Sequence, residues 1–124
     1  MLKVTELAFC SYSVTYMPRA RAFYENILNL TPTNVTETPD GKWVEYEFGN
    51  SALAITSSSE FRPSSDGCTA ALEVEDFDDA IAFLKLNKVK FRTEPFETPV
   101  CKMALIYDPD SNTICIHKRK TGKS

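Results

Sequence analysis

The sequence has no apolar run approaching the roughly eighteen residues of a membrane-crossing helix, and no charged N-terminal stretch followed by an apolar one. Neither a transmembrane helix nor a signal peptide is expected, and the expected location is the cytoplasm. There is no paired CxxC: Cys10, Cys68, Cys101 and Cys115 stand far apart. That spacing argues against a zinc cluster or a disulfide framework and for small hydrophobes set into apolar strands. Histidine is nearly absent, His117 being the only one. Positive charge is scarce as well. The formal net charge is −3, yet Lys118, Arg119, Lys120 and Lys123 all fall in the last seven residues. The rest of the chain sets ten of the 14 bases against all 17 acids, a net of −7. Such a body repels nucleic acid and anionic membranes, and a basic tail over residues 118–124 is too short to reverse that. A neutral or cationic organic ligand suits this charge better than a polyanion.

What is present is ordinary globular material: 43% hydrophobic, 25% charged and 11% aromatic residues in 124. That length fits one domain, 1–124, able to bury about two-thirds of its unfolded surface without disulfides or a structural metal. The chain also repeats itself. A shift of 60 positions lays Val14 on Val74, Met17 on Phe77, Ala20 on Ala80, Ala22 on Ala82 and Phe23 on Phe83. Module one is assigned to residues 1–58, a polar Ser- and Pro-rich linker to 57–66, and module two to 67–119, with the basic tail after it.

Each copy passes through the same change of hydrophobic period. Leu7 to Val14 reads as a strand, and Met17, Ala20, Tyr24, Ile27 and Leu28 recur at helical spacing behind Pro18 in a first turn. Thr69 to Val74 reads as the second such strand. Asp76 is placed to cap a helix carrying Phe77, Ala80, Ile81 and Leu84. Extended segments follow at Trp43 to Phe48 and Ala52 to Thr56, and again at Lys88 to Arg92, Met103 to Tyr107 and Thr113 to His117. The unit is approximately βαβββ, and the fold class is α+β.

The segment Val14-Thr15-Tyr16-Met17-Pro18-Arg19-Ala20-Arg21-Ala22-Phe23-Tyr24, with Leu28-Asn29-Leu30 behind it, resembles the strand-to-helix passage of the vicinal oxygen chelate superfamily. That superfamily includes glyoxalase I, the bleomycin-resistance proteins and the extradiol dioxygenases. Leu72-Glu73-Val74-Glu75-Asp76 and the turn Asp108-Pro109-Asp110-Ser111-Asn112 are similar to its second-module strand and its DPDGN turn, with Ser111 standing where glycine is usual. The resemblance spans nearly the whole chain. It implies two tandem βαβββ modules whose sheets form an open cup, usually in a homodimer, with a site on the concave face.

In metal-dependent relatives four side chains, His or Gln and Glu, reach into that cup. Carried over by motif, those positions are Phe9, Ala54, Thr69 and Cys115, and none is a His, Gln, Glu or Asp. A shift of one residue reaches Ala8, Cys10, Leu53, Ile55, Cys68, Ala70, Ile114 and Ile116, which supply no site either. A catalytic divalent ion needs several N or O ligands and an open position. No metal and no other cofactor is therefore expected.

Strand alternation puts Leu7, Ser11 and Ser13 on the face of Phe9, with Ala52 and Thr56 beside Ala54. In module two it puts Ala71 and Glu73 with Thr69, and Thr113 and His117 with Cys115. Trp43, Glu45 and Glu47 share one strand face, an aromatic beside paired acids that can hold a cation or form a plain solvated surface. The ligand-binding candidates are thus Phe9, Ser11, Trp43, Glu45 and Ala54, with Thr69, Glu73, Tyr107 and Cys115. Tyr16, Tyr107 and Phe96 either stack on a flat ligand or complete the core. Glu73 as a base or counter-ion and His117 as a proton shuttle are the catalytic candidates, each also readable as a surface strand residue. Cys115 has apolar flanks and reads as a buried thiol rather than a nucleophile.

The leading expectation is a metal-free small-molecule-binding protein of the bleomycin-resistance kind, holding a neutral or cationic organic ligand by capture. The alternatives are a glyoxalase-like lyase or isomerase, or a dioxygenase-related enzyme, whose site lies elsewhere or needs no metal, and a dimeric regulatory or structural subunit. Whether the chain is an enzyme is left open.

Overall fold

Pro18, without an N–H to satisfy, sits in the first turn of helix α1, Met17–Ala22, which buries Met17 and Ala20. The computed structural model describes residues 1–3 and 5–120, so Lys123 and most of the expected tail lie outside the described residues. From Phe23 to Ile27 the helix widens into a π-turn, the Leu28 N–H reaching back five residues to the Phe23 carbonyl at 3.0 Å. The wider turn buries both Phe23 and Tyr24. Tyr24 then stacks over Tyr46 with centroids 6.1 Å apart. It also leaves Glu25 in reach of two donors, Arg21 Nε at 2.7 Å and the Tyr46 hydroxyl at 3.0 Å. Burial, and then this carboxylate, push the Tyr46 hydroxyl above the ordinary tyrosine range.

The second helix, α2, Phe77–Leu86, starts at the expected cap. The Asp76 carboxylate accepts from the Asp79 N–H at 3.0 Å, and Phe77, Ile81 and Leu84 are the buried stripe.

The strands form two four-stranded sheets of one design. In the first, β1 (Cys10–Ser13), β4 (Ser51–Thr56), β3 (Gly41–Phe48) and β2 (Asn34–Thr38) lie in the order β1-β4-β3-β2. In the second, β5 (Ala70–Glu73), β8 (Thr113–Arg119), β7 (Cys101–Tyr107) and β6 (Phe91–Glu97) lie in the order β5-β8-β7-β6. In each the first strand pairs in parallel with the last, and the other pairings are antiparallel. The Val14 N–H bonds the Thr56 carbonyl at 2.8 Å, and its counterpart, the Val74 N–H, bonds the His117 carbonyl at 2.9 Å. The repeat is thus borne out down to single hydrogen bonds, and the α+β assignment with it. Tyr12, Val44, Tyr46, Leu53 and Ile55 are buried on one face of the first sheet, and Ala104, Ile106, Ile114 and Ile116 on one face of the second.

Three elements differ from the sequence reading. The strand expected over Leu7 to Val14 pairs only over Cys10–Ser13, and Leu7 is exposed. Strand β2 was not expected: its residues are mostly polar and exposed, so an edge strand of this kind has no apolar alternation to reveal it. The strand expected over Lys88 to Arg92 starts instead at Phe91, because Lys88 turns left-handed at φ 59° and Val89 still bonds back to the Leu84 carbonyl at 3.1 Å.

The chain divides into two compact units, Met1–Pro63 and the part beginning at Ser64. The polar segment expected as a tether is tied at both ends. The Ser58 and Ser59 hydroxyls donate to Asp40 at 2.9 and 3.3 Å. Further on, Arg92 donates to the Ser65 carbonyl and, at 3.0 Å, to Asp66.

The turn between β7 and β8 is organised by a buried carboxylate. Asp108 accepts from the backbone N–H of Asp110 at 2.9 Å and from the backbone N–H and side-chain amide of Asn112, both at 2.8 Å. Ser111, where glycine is usual among the sequences this chain resembles, has φ 66°. A left-handed non-glycine residue costs about 1–2 kcal/mol, and glycine's larger unfolded-state entropy takes back about 0.5–1. Ser111→Gly is therefore expected to raise stability by about 0.5 kcal/mol in chemical denaturation, whereas a loss would mean the serine hydroxyl contributes more than the backbone costs.

Candidate functional site

Each sheet carries a polar face whose residues are fixed by register. In the first unit Ser11, Ala54 and Glu45 form one row across β1, β4 and β3, and Ser13, Thr56 and Trp43 form the next. Ala54 and Thr56 are buried, Trp43 and Glu45 half-buried, and Ser11 and Glu47 exposed. Phe9, just ahead of β1, meets Trp43 edge-on with ring centroids 5.1 Å apart. Ala54, between Ser11 and Glu45 in the register, is fully buried. Trp43 also fixes the neighbouring acid: its indole Nε1–H donates to Glu45 Oε2 at 2.7 Å. The Thr33 N–H and hydroxyl bond the Glu45 carbonyl at 2.8 and 3.2 Å, holding the strand edge. The product is an aromatic corner beside an oriented carboxylate.

In the second unit the structure brings together two residues that sequence had treated apart. Glu73 stands opposite His117 in the parallel register of β5 and β8, and His117 Nδ1 lies 2.6 Å from Glu73 Oε1. The other oxygen, Oε2, accepts the Arg119 backbone N–H at 2.8 Å. Burial alone would push the Glu73 carboxyl up, but the Arg119 N–H and then the imidazole outweigh it and hold it below the usual range. Glu73 thus accepts from the Arg119 N–H with one oxygen and faces His117 Nδ1 with the other.

A carboxyl lowered in the fold stabilises it above its unfolded pKa and loses that effect as pH falls through the folded value. The acid limb of the unfolding curve, below the ordinary glutamate value of 4.5, is therefore expected to flatten in Glu73→Gln. An unchanged limb would show that the pair is not kept in solution.

On the same face of the second sheet, Cys115 stands between Ala71 on β5 and Leu105 on β7, and Tyr107 is opposite Thr113. Cys115 is buried, which raises its thiol pKa, and the neighbouring Cys101 thiol adds to this. Thr69 precedes β5 and is exposed. Phe96 is opposite Met103. Tyr16 is exposed beside the start of α1, and neither it nor Phe96 enters the buried core.

The divalent metal that the resemblance would imply does not fit the donors. Phe9 and Ala54 offer only carbon, one of them engaged with Trp43 and the other buried, and Thr69 and Cys115 add one hydroxyl and one buried thiol. Among the described residues no three His, Cys, Asp or Glu side chains are gathered to hold an ion. No helix among them is long and apolar enough to cross a membrane.

Comparison with known proteins agrees with this architecture. The sequence model of the Glyoxalase/Bleomycin resistance protein/Dioxygenase superfamily matches residues 6–116. Among solved structures, TnmS3, an antibiotic binding protein from Streptomyces sp. CB03234, superposes with a TM-score of 0.81 at 20% identity, over 97% of this chain and 100% of that one. A glyoxalase/bleomycin resistance protein from the same Streptomyces gives 0.74 at 22% identity, over 90% and 98%. A superfamily member from Sphaerobacter thermophilus DSM 20745 gives 0.75 at 20%, over 94% and 99%. At such identities the likeness is one of fold. No curated protein matches the sequence.

Proposed function

We propose that this chain, which belongs to the glyoxalase/bleomycin resistance protein/dioxygenase superfamily, captures a small planar organic molecule, neutral or cationic, without the divalent metal of its catalytic relatives. The observation that carries this reading is the corner made by Phe9, Trp43 and Glu45. Two rings give a flat ligand a face and an edge to pack on. The carboxylate, already oriented by the indole, gives a cation its counter-charge in a half-buried setting. The acidic body favours the approach of such a cation. That one structural neighbour is an antibiotic binding protein supports capture rather than turnover. The same reading assigns ligand contact to Ser11 in the first unit and to Thr69, Glu73, Tyr107 and Cys115 in the second, and takes the working form to be a cytoplasmic homodimer.

Trp43 is the only tryptophan, so its fluorescence reports on the corner directly. Titration with an aminoacridine cation and with neutral acridone is expected to give saturable quenching by both, tighter for the cation. Quenching by neither would refute capture of a planar ligand at this corner.

A second reading rests on Glu73 and His117, since an imidazole oriented by a carboxylate is what a general base requires. If the chain turns over a substrate there, activity vanishes in His117→Ala and in Glu73→Gln while the fold survives.

A further inference from the structure

We propose that Cys115, Met103 and His117, all on one sheet of the second unit, form a binding site for a soft monovalent cation of the copper(I) or silver(I) kind. The site lies on the other sheet from the aromatic corner, and it stands whether or not Cys115 and Glu73 also touch the organic ligand. Its centre is a sulfur pair: the Cys115 thiol donates to the Met103 thioether, Sγ and Sδ being 3.7 Å apart. Register supplies the third donor, because Met103 stands directly opposite His117, and His117 is two residues along β8 from Cys115 and so on the same face.

The imidazole is prepared for a ligand's role. Glu73 Oε1 lies 2.6 Å from Nδ1, which orients the ring and leaves Nε2 as the nitrogen a metal would take. A metal-ligating histidine characteristically has its other nitrogen bonded to a carboxylate in this way. Glu73 is in turn held by the Arg119 N–H at 2.8 Å.

The chemistry of the set selects the ion. Thiolate and thioether are soft donors that favour copper(I) over hard divalent cations, and imidazole is compatible with them. Cys115 and His117 are common metal ligands, and Met103 adds the second sulfur. A monovalent ion satisfied by two or three soft ligands needs no more. Cys115 is itself buried, with Ala71 and Leu105 opposite it on the neighbouring strands. On binding, the Cys115 S–H bond breaks, its proton passes to solvent and a sulfur–metal bond forms. The net charge of the site is unchanged, which suits a buried position.

The test is calorimetric titration of the reduced protein with silver(I), which does not change oxidation state, in buffers of different ionisation heat. Cys10, Cys68 and Cys101 also carry thiols, so the titration is made in the Cys10→Ser, Cys68→Ser, Cys101→Ala chain as well as in the natural one. One tight equivalent with one proton released is expected in the substituted chain. Met103→Leu, which conserves volume, and His117→Ala are each expected to weaken it at least tenfold, and Glu73→Gln about tenfold, as loss of an outer-shell carboxylate typically does. In the natural chain the same substitutions should remove the tightest equivalent and leave the weaker ones. Affinity unchanged in both Met103→Leu and His117→Ala would overturn the proposal, showing a bare thiol at work, as would the absence of a tight equivalent.

Discussion

Trp43→Ala is expected to lower the affinity for the aminoacridine cation about a hundredfold, or about 2.7 kcal/mol, read by calorimetry because the substitution removes the fluorophore. The size follows from what one side chain does in this corner. The indole is the larger of the two rings in the edge-on pair with Phe9, and its Nε1–H fixes Glu45 at 2.7 Å. Truncation removes stacking area and releases the carboxylate together, and loss of an aromatic anchor commonly costs about 2 kcal/mol or more. Glu45→Gln separates the two contributions. It is expected to weaken the cation about tenfold and leave neutral acridone nearly unchanged, since the amide keeps a hydrogen-bonding oxygen but not the charge. Equal losses for both ligands would mean that Glu45 shapes the corner without reading charge.

Asp108→Ala is expected to destabilise the protein by about 4 kcal/mol and to lower its melting temperature by roughly 15 °C. The carboxylate is buried and accepts three hydrogen bonds, from the Asp110 N–H and from the backbone and side chain of Asn112. Hydrogen bonds to a charged group contribute about 1.5–3 kcal/mol each, and truncation to alanine removes their acceptor. The damage also spreads through Asn112, whose side-chain oxygen accepts the Ser64 N–H at 3.0 Å where the second unit begins. Asp108→Asn, which keeps one acceptor but offers its amide to donors, should fall between the two. A loss under 1 kcal/mol in Asp108→Ala would show that the turn is held by its backbone alone.

The duplicated architecture was legible because both copies use the same residues at the strand-to-helix passage. Val14 and Val74 coincide in the 60-residue shift and make equivalent hydrogen bonds to the ends of β4 and β8. The placement of Asp76 and Pro18 was legible for a local reason, since caps and first turns are decided by neighbours in sequence. Strand β2 was not, for its polar residues alternate nothing that a core would select. The π-turn was missed because it costs no sequence signal, only the demand that Phe23 and Tyr24 both turn inward.

The site divides along the same line. Trp43 and Glu45, two apart on one strand, follow from alternation alone. The approach of Phe9 to Trp43 needs the strand order β1-β4-β3, which no local pattern contains. Glu73 and His117 lie 44 residues apart and meet only through the parallel register of β5 and β8. A signal was nevertheless present, because strand parity had already put both on the same face.

The central claim is capture of an organic ligand at the aromatic corner without a divalent metal, and it is tested most directly by Trp43 fluorescence titration of the untagged protein with aminoacridine, before and after exhaustive treatment with EDTA. The expected result is the same saturable quenching in both, unaltered when zinc, nickel, manganese or iron(II) is returned. Quenching that disappears with the chelator and comes back with one of those ions would contradict the account, placing a metal in the binding site despite Phe9 and Ala54.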